Sequence, residues 1–328
     1  MPTRKILLFS GVLFLFLFLL SVTRVTRGSA YVTREEPAMG TFVTITIESR
    51  GDCRTIFNGA FDKIRELEGI FSVHDPSSEL SRLNALKEME VSDRLSYLIS
   101  RSLEISKITG GAFDITVLPL MNLYKSAEAS GVQPSEERIR KELKHVGWEK
   151  IAIHGNTVKI PSGLDMGGIA KGYIVDETAE FLKKQGIKNG LVNAGGNICC
   201  FGRAPGGKKW RIGIRDPFRK NGIVQTVMLS NVAVATSGDY ERYFMIKGRK
   251  YGHIINPATG RTVQNFPAGV TVIAPDASTA DGFSTAFYVL GIDQSIKISD
   301  SMESIAVLMI DGNGKIYRSR NFSHFAAP

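Results

Sequence analysis

Three groupings of polar residues in this chain have the types and spacing to do chemistry. The run Asp165-Met166-Gly167-Gly168-Ile169-Ala170-Lys171-Gly172-Tyr173 places two glycines and a lysine where a helix would begin. Backbone N–H groups at a helix N-terminus, together with a lysine charge, complement a pyrophosphate. The spacing is neither GxGxxG nor a P-loop, because Tyr173 stands where the P-loop lysine would follow Gly172. Taken alone, the segment reads first as a structural turn with a solvated lysine, although Asp165 must there hold a hydroxyl, an amide or an ordering cation.

Asp281 and Thr285 are spaced i, i+4 among the apolar residues Ala280, Phe283, Phe287 and Leu290, which predicts a helix with both oxygens on one face. One carboxylate and one hydroxyl suit a partial Mg²⁺ shell, which keeps room for phosphate oxygens and water. The plain structural alternative is an acid stabilising the helix start, with Thr285 bonded back to a carbonyl. His253, in Tyr251-Gly252-His253-Ile254-Ile255-Asn256-Pro257, sits where an apolar strand runs into an Asn-Pro turn. An imidazole there can accept a hydroxyl proton near neutral pH, or it can be a histidine satisfied by backbone. Asn193-Ala194-Gly195-Gly196-Asn197 and Ser237-Gly238-Asp239-Tyr240 read as loops in which glycine lets backbone approach a flat or charged ligand, or as simple tight turns.

These residues need elements to position them. Val43, Ile45 and Ile47 alternate with threonines over Thr41 to Ile47, the period of a half-buried strand. Phe57, Phe61, Ile64, Leu67 and Phe71 recur at helical spacing, and a second helix is predicted from about Arg94 to Thr109, stopped by Gly110-Gly111. Lys125 to Glu142 is charged and reads as a surface helix or insertion. The second half turns to short β-like runs: Leu191-Val192, Trp210 to Ile214, Ile223 to Leu229, Val232 to Thr236, Val270 to Ala274 and Ile305 to Ile310. Helices are predicted after Lys171 and after Ser278. Grouped strands argue for an α+β fold, with sheets and flanking helices, over a doubly wound sheet.

Of 328 residues 43% are hydrophobic, which excludes disorder and allows a sizeable core. The net charge is +9, but four of those charges (Arg4, Lys5, Arg24, Arg27) sit in residues 1–30, which hold no acid. The remaining bases are scattered among acids with no basic stripe, so nucleic acid is not expected as a partner. Arg4 and Lys5 precede an apolar run from Ile6 to Val22. At about 17 residues this is a signal or membrane-anchor segment, with retention as an anchor slightly favoured, and it implies export to the periplasmic or extracytoplasmic face of the membrane. Residues 31–328 then form one functional unit, with one or two lobes. Cys53, Cys199 and Cys200 lack zinc spacing, and the last two read as small buried hydrophobes at a strand end.

Eight segments in one order, Met39-Gly40-Thr41, Asp75 to Asn84, Gly111 to Leu120, Asp165 to Tyr173, Asn193 to Ile198, Thr236 to Tyr240, His253 to Gly260 and Ala280 to Ala286, resemble the ApbE family, the FAD:protein FMN transferases. The likeness runs from about Met39 to Leu290. It implies an ApbE-like α+β fold around a flavin nucleotide cleft. Met39, His74, Ala112, Phe113 and Asp114 map to the FAD pocket, as do Asp165, Lys171, Asn193, Gly195, Gly196, Ser237, Gly238, Asp239 and His253. The implied metal ligands are Asp281, Thr285 and the backbone carbonyl of Gly168, holding Mg²⁺. The implied chemistry transfers FMN from FAD to a Thr or Ser hydroxyl of an acceptor protein with release of AMP; His253 and Lys171 are the catalytic candidates, and the acceptor is a flavin-carrying subunit of a membrane redox complex. A Mg²⁺-dependent FAD pyrophosphatase and a non-catalytic exported flavin-binding protein are the rival readings. Two departures stand out: His74, where the family often carries Tyr, and Gly282, where Ala is commoner and Gly should loosen the helix by about 1 kcal/mol.

Overall fold

The computed structural model describes residues 30–238, 243–263 and 267–327; the amino-terminal apolar run and Asp239 lie outside the described residues. Strands β1 (Ala30–Ala38) and β2 (Thr41–Ser49) form a hairpin closed by Met39-Gly40. Both turn residues have positive φ, 54° at Met39 and 66° at Gly40, as a two-residue turn matched to strand twist requires. A non-glycine residue there costs about 1–2 kcal/mol. The Met39 amide is held in place by donating to Glu68 Oε1, 2.6 Å away, on helix α1 (Arg54–Phe71).

Helix α1 buries Phe57, Phe61, Ile64, Leu67 and Phe71, the stripe its spacing predicted. Helix α2 (Glu79–Leu86) and strand β3 (Glu88–Glu90) lead to α3 (Asp93–Ile108), whose Ser92 cap accepts the Leu95 amide. The charged segment Lys125 to Glu142 resolves into parts of two helices, α4 (Leu118–Ser130) and α5 (Glu136–Leu143), because Gly131 at φ 65° stops the first. Strands β4 (Ala152–His154) and β5 (Thr157–Lys159) join β3 in a small sheet.

Helix α6 (Ala170–Lys184) precedes β6 (Gly190–Ala194) and β7 (Asn197–Phe201), with β8 (Trp210–Arg215) and β9 (Ile223–Leu229) pairing separately. After β10 (Val232–Ser237) come the short strands β11 (Tyr243–Ile246), β12 (Arg249–Gly252), β13 (Ile255–Asn256) and β14 (Arg261–Thr262). Strand β15 (Gly269–Ala274), helices α7 (Ala277–Leu290) and α8 (Ile292–Asp300), and strands β16 (Ala306–Ile310) and β17 (Ile316–Arg318) complete the chain.

The main sheet runs β1-β2-β6-β7-β10-β15-β16-β17, and its pairings among the described residues are antiparallel. Helices α1, α3, α6 and α7 cover one face in a core containing Ile45, Phe61, Cys199, Val272 and Phe283. The β8–β9 hairpin and a short C-terminal 3-10 turn (Arg320–His324) cover part of the other face, with Trp210 and Val227 of the hairpin and Phe322 of the turn packed against Cys200, Val234 and Leu308. Every residue of β15 and β16 is therefore buried, which is why these strands read as unbroken apolar runs rather than alternating ones. A third cluster joins Leu120 and Tyr124 of α4 to Phe244 of β11 and Tyr251 of β12.

Candidate active site

The loops at one end of the main sheet enclose a cleft of about 1330 Å³. Met39 enters it from the strained hairpin turn and exposed His74 from the loop after α1; Ala112, Phe113 and Asp114 come from the segment after α3. Asp165, Gly168 and Lys171 line it from the approach to α6, while Asn193, Gly195 and Gly196 line it from the β6–β7 turn. Ser237 and Gly238 follow from the end of β10, half-buried His253 from the bend between β12 and β13, and Asp281 and Thr285 from α7. Residues scattered over more than two hundred positions of sequence thus share one cavity.

At the α6–α7 end the geometry is close. Asp281 is 3% exposed; its Oδ2 accepts the Gly172 amide at 3.0 Å, and its Oδ1 lies 3.8 Å from Lys171 Nζ, an ion-pair distance too long for a direct hydrogen bond. Asp281 is not the helix cap: Asp276 is, accepting the Thr279 amide at 2.7 Å. The helix-start reading of Asp281 therefore fails on position, five residues too late. A Cβ on Gly168 would stand 3.1 Å from Thr285 Oγ1 and 3.1 Å from the Phe113 ring, so only glycine brings this backbone so near the Thr285 hydroxyl. The Asp281 carboxylate and the Thr285 hydroxyl, with the Gly168 backbone beside the latter, offer oxygen donors, which fit a hard cation such as Mg²⁺.

The neighbouring contacts fix these atoms. A Cβ on Gly172 would be 2.2 Å from the Ala277 carbonyl oxygen, so glycine lets α6 and α7 cross nearly backbone to backbone. Half-buried Asp176 on α6 accepts the amides of Ala277 at 2.7 Å and Ser278 at 2.8 Å, clamping the first turn of α7. Burial pushes the Asp176 carboxyl up to about 7 despite those two donors. Ser237 Oγ lies 2.8 Å from Ser284 Oγ, and Ser284 in turn donates to the Asp281 carbonyl.

Two anticipated ligand groups are already occupied within the protein. Asp165 Oδ1 accepts the Gly167 amide at 2.8 Å. Asp114 accepts from the Thr116 amide and hydroxyl with one oxygen and from the Trp148 amide with the other; burial nevertheless raises its carboxyl above the usual range. Of the loop amides expected to cradle phosphate, Gly167 donates to Asp165, Ile169 and Ala170 to Met166, and Gly172 to Asp281, so much of this loop is already engaged within the protein. The Asn193 to Asn197 segment is less loop than expected: Gly195 and Gly196, at φ 56° and 95°, form the whole turn, and Asn193 Oδ1 accepts the Gly196 amide.

Sequence reasoning passed over Lys125, which α4 brings to the cleft wall with Met121 and Glu128. Their i, i+4, i+7 spacing was the available signal. It also passed over Asn197 and Arg215, which line the cleft from the starts and ends of short strands.

An antiparallel sheet layered with helices, with a cleft that gathers a carboxylate, a hydroxyl, a lysine and a histidine, defines an α+β architecture with a candidate active site. The profile of the ApbE family matches residues 39–309. The chain belongs to the ApbE family. It is 35% identical over 304 residues to the FAD:protein FMN transferase of Vibrio cholerae, covering 88% of this chain and 91% of that protein, and 32% identical over 272 residues to that of Escherichia coli, covering 78% and 77%. Among solved structures it superimposes on the flavin transferase ApbE of Vibrio cholerae with TM-score 0.81 at 32% identity, over 90% of this chain and 99% of that one. The ApbE protein of Thermotoga maritima gives 0.83 at 32% identity, over 91% and 100%.

Proposed function

We propose that this chain transfers the FMN moiety of FAD to a Thr or Ser hydroxyl of an acceptor protein, with AMP as the leaving group. The observation that carries the reading is the convergence of Asp281, Thr285, Gly168 and Lys171 at one end of the cleft that also contains His253. The relatives named FAD:protein FMN transferase support the same chemistry. A cleft of about 1330 Å³ exceeds the roughly 300–1,000 Å³ usual for a small ligand, which leaves room for a dinucleotide and an acceptor segment together.

Asp281, Thr285 and the Gly168 carbonyl would hold Mg²⁺, which when bound neutralises charge on the pyrophosphate. Lys171 binds the pyrophosphate by its charge and balances Asp281. The imidazole of His253 takes the proton of the acceptor hydroxyl. The hydroxyl oxygen forms the new bond to the FMN phosphorus while the bond from that phosphorus to the AMP oxygen breaks. Positioning and charge neutralisation are what phosphoryl transfer chiefly demands. The Arg4-Lys5 pair ahead of the apolar Ile6 to Val22 run supports export, and in this reading the acceptor is a redox-complex subunit on the outer face of the membrane.

The test is to incubate the protein with FAD, Mg²⁺ and the flavin-carrying domain of such a complex, then follow AMP release and covalent flavin. Labelled acceptor with stoichiometric AMP is expected. AMP and FMN without labelled acceptor would point to hydrolysis, and neither product to flavin carriage.

A further inference from the structure

Asn197 is 2% exposed, lines the cleft, and its side-chain nitrogen has no hydrogen-bond partner among the described residues. It opens β7 opposite Ala194, directly after the Gly195-Gly196 turn. Its face is settled by the strand's alternation: Cys199 and Phe201, two and four residues on, belong to the helix-side core. On neighbouring β10 the same face carries Ala233, Ala235 and then Ser237, and Ser237 reaches Ser284 of α7, one turn beyond Asp281. Asn197 therefore looks into the same layer as the oxygen cluster, not toward the β8–β9 side. An unpaired buried amide donor is destabilising, and an apolar side chain of similar volume would satisfy the Cys199 and Phe201 surroundings. A residue that breaks the local rule in a cleft is where function is expected to be recorded.

We propose that Asn197 is a ligand-binding residue of the cleft, its amide donating to an oxygen on the phosphate-bearing part of the nucleotide. The inference rests on the transferase reading above and adds a recognition contact to it. The amide serves as a neutral donor. It complements the Lys171 charge without adding a cation that would compete with a metal at Asp281.

The experiment compares wild type, Asn197→Leu and the near-isosteric Asn197→Asp in titrations with FAD and with riboflavin in the presence of Mg²⁺, together with melting of the unliganded proteins. In Asn197→Leu the Kd for FAD should rise at least tenfold, about 1.4 kcal/mol, while that for riboflavin stays within about twofold. The melting temperature without ligand should equal or exceed that of wild type, since an unpaired donor has been removed. Asn197→Asp should lose FAD at least as severely, and its titrations decide the matter if the leucine variant does not fold. Unchanged FAD affinity, or parallel losses for FAD and riboflavin, would overturn the assignment. Failure of wild type itself to bind FAD would instead overturn the transferase reading on which the assignment depends.

Discussion

The carboxylate of Asp281 on α7 accepts the backbone amide of Gly172 on α6 at 3.0 Å, across 109 residues of sequence. One side chain thus serves both the candidate metal site and the crossing of two helices. Its removal should therefore be felt in stability as well as in turnover. Asp281→Ala leaves a buried N–H unpaired and should cost about 1–3 kcal/mol, whereas Asp281→Asn keeps an acceptor for Gly172 and should melt near wild type. Both should lose Mg²⁺-dependent AMP release. Thermal melts and metal titrations of turnover on the two variants check this, and an Asn variant with normal metal dependence would remove Asp281 from the site.

Gly172→Ala tests the helix crossing itself. The added Cβ would meet the Ala277 carbonyl oxygen at 2.2 Å and the Ser278 Cα at 2.8 Å, atoms of backbone that cannot swing aside. We expect a loss of at least about 1–3 kcal/mol, read by denaturant unfolding, and a weaker apparent Mg²⁺ affinity in the folded fraction. Wild-type stability would show that α6 and α7 are not held as close as described.

Asp176 makes a pH prediction with a definite sign. Its folded carboxyl titrates near 7 against 3.8 for the unfolded reference, so the folded state prefers the protonated form. The stabilisation is complete below about pH 4 and is lost as pH rises through about 7, amounting to a few kcal/mol at most. Asp176→Asn keeps one acceptor for the Ala277 and Ser278 amides and no longer titrates. The difference in melting temperature between wild type and variant should therefore shift toward the variant from pH 5 to pH 8. A constant difference across that range would refute the assignment.

His253→Ala should leave FAD binding within about tenfold, or about 1.4 kcal/mol, while acceptor labelling falls by about 10² or more. Single-turnover labelling after FAD saturation separates the two. Labelling near the wild-type rate would make His253 a structural residue.

Lys171→Ala should weaken FAD more than riboflavin, because only the pyrophosphate needs the charge. Its ammonium also partners Asp281, so losing it should leave the affinity of the protein alone for Mg²⁺ unchanged or raised. Equal losses for both flavins in parallel titrations would sink the phosphate role.

How far the sequence could be read depends on the range of the interactions. Helices α1 and α7 were legible because their apolar spacing is local, and β10 and β15 because their turns and β-branched residues are. Strand β1 was not, since Arg34-Glu35-Glu36-Pro37 carries the charges and proline by which an edge strand avoids further pairing. Gly282 read as a weak point in α7. The structure gives the reason for it, since a Cβ there would stand 2.5 Å from Ile105 Cδ1 of α3, which would have to move. The motif residues fell in one cleft, but the partners that hold them did not announce themselves: Glu68 under Met39, Asp176 under α7 and Gly172 under Asp281 are all contacts between elements remote in sequence.

Cys199 and Cys200 are consecutive on β7 and point to opposite faces, one into the helix-side core and the other into the core beneath β8 and β9. Both are free thiols, and burial raises both above the ordinary thiol range, Cys199 to about 12. Neither forms a reactive thiolate while its layer is closed. The pair is a built-in two-channel reporter: the rate at which a thiol reagent labels Cys199 measures opening of the helical layer, and labelling of Cys200 measures detachment of the β8–β9 hairpin. Peptide-resolved mass spectrometry on one sample would then tell whether the two sides of the sheet come apart together or in turn.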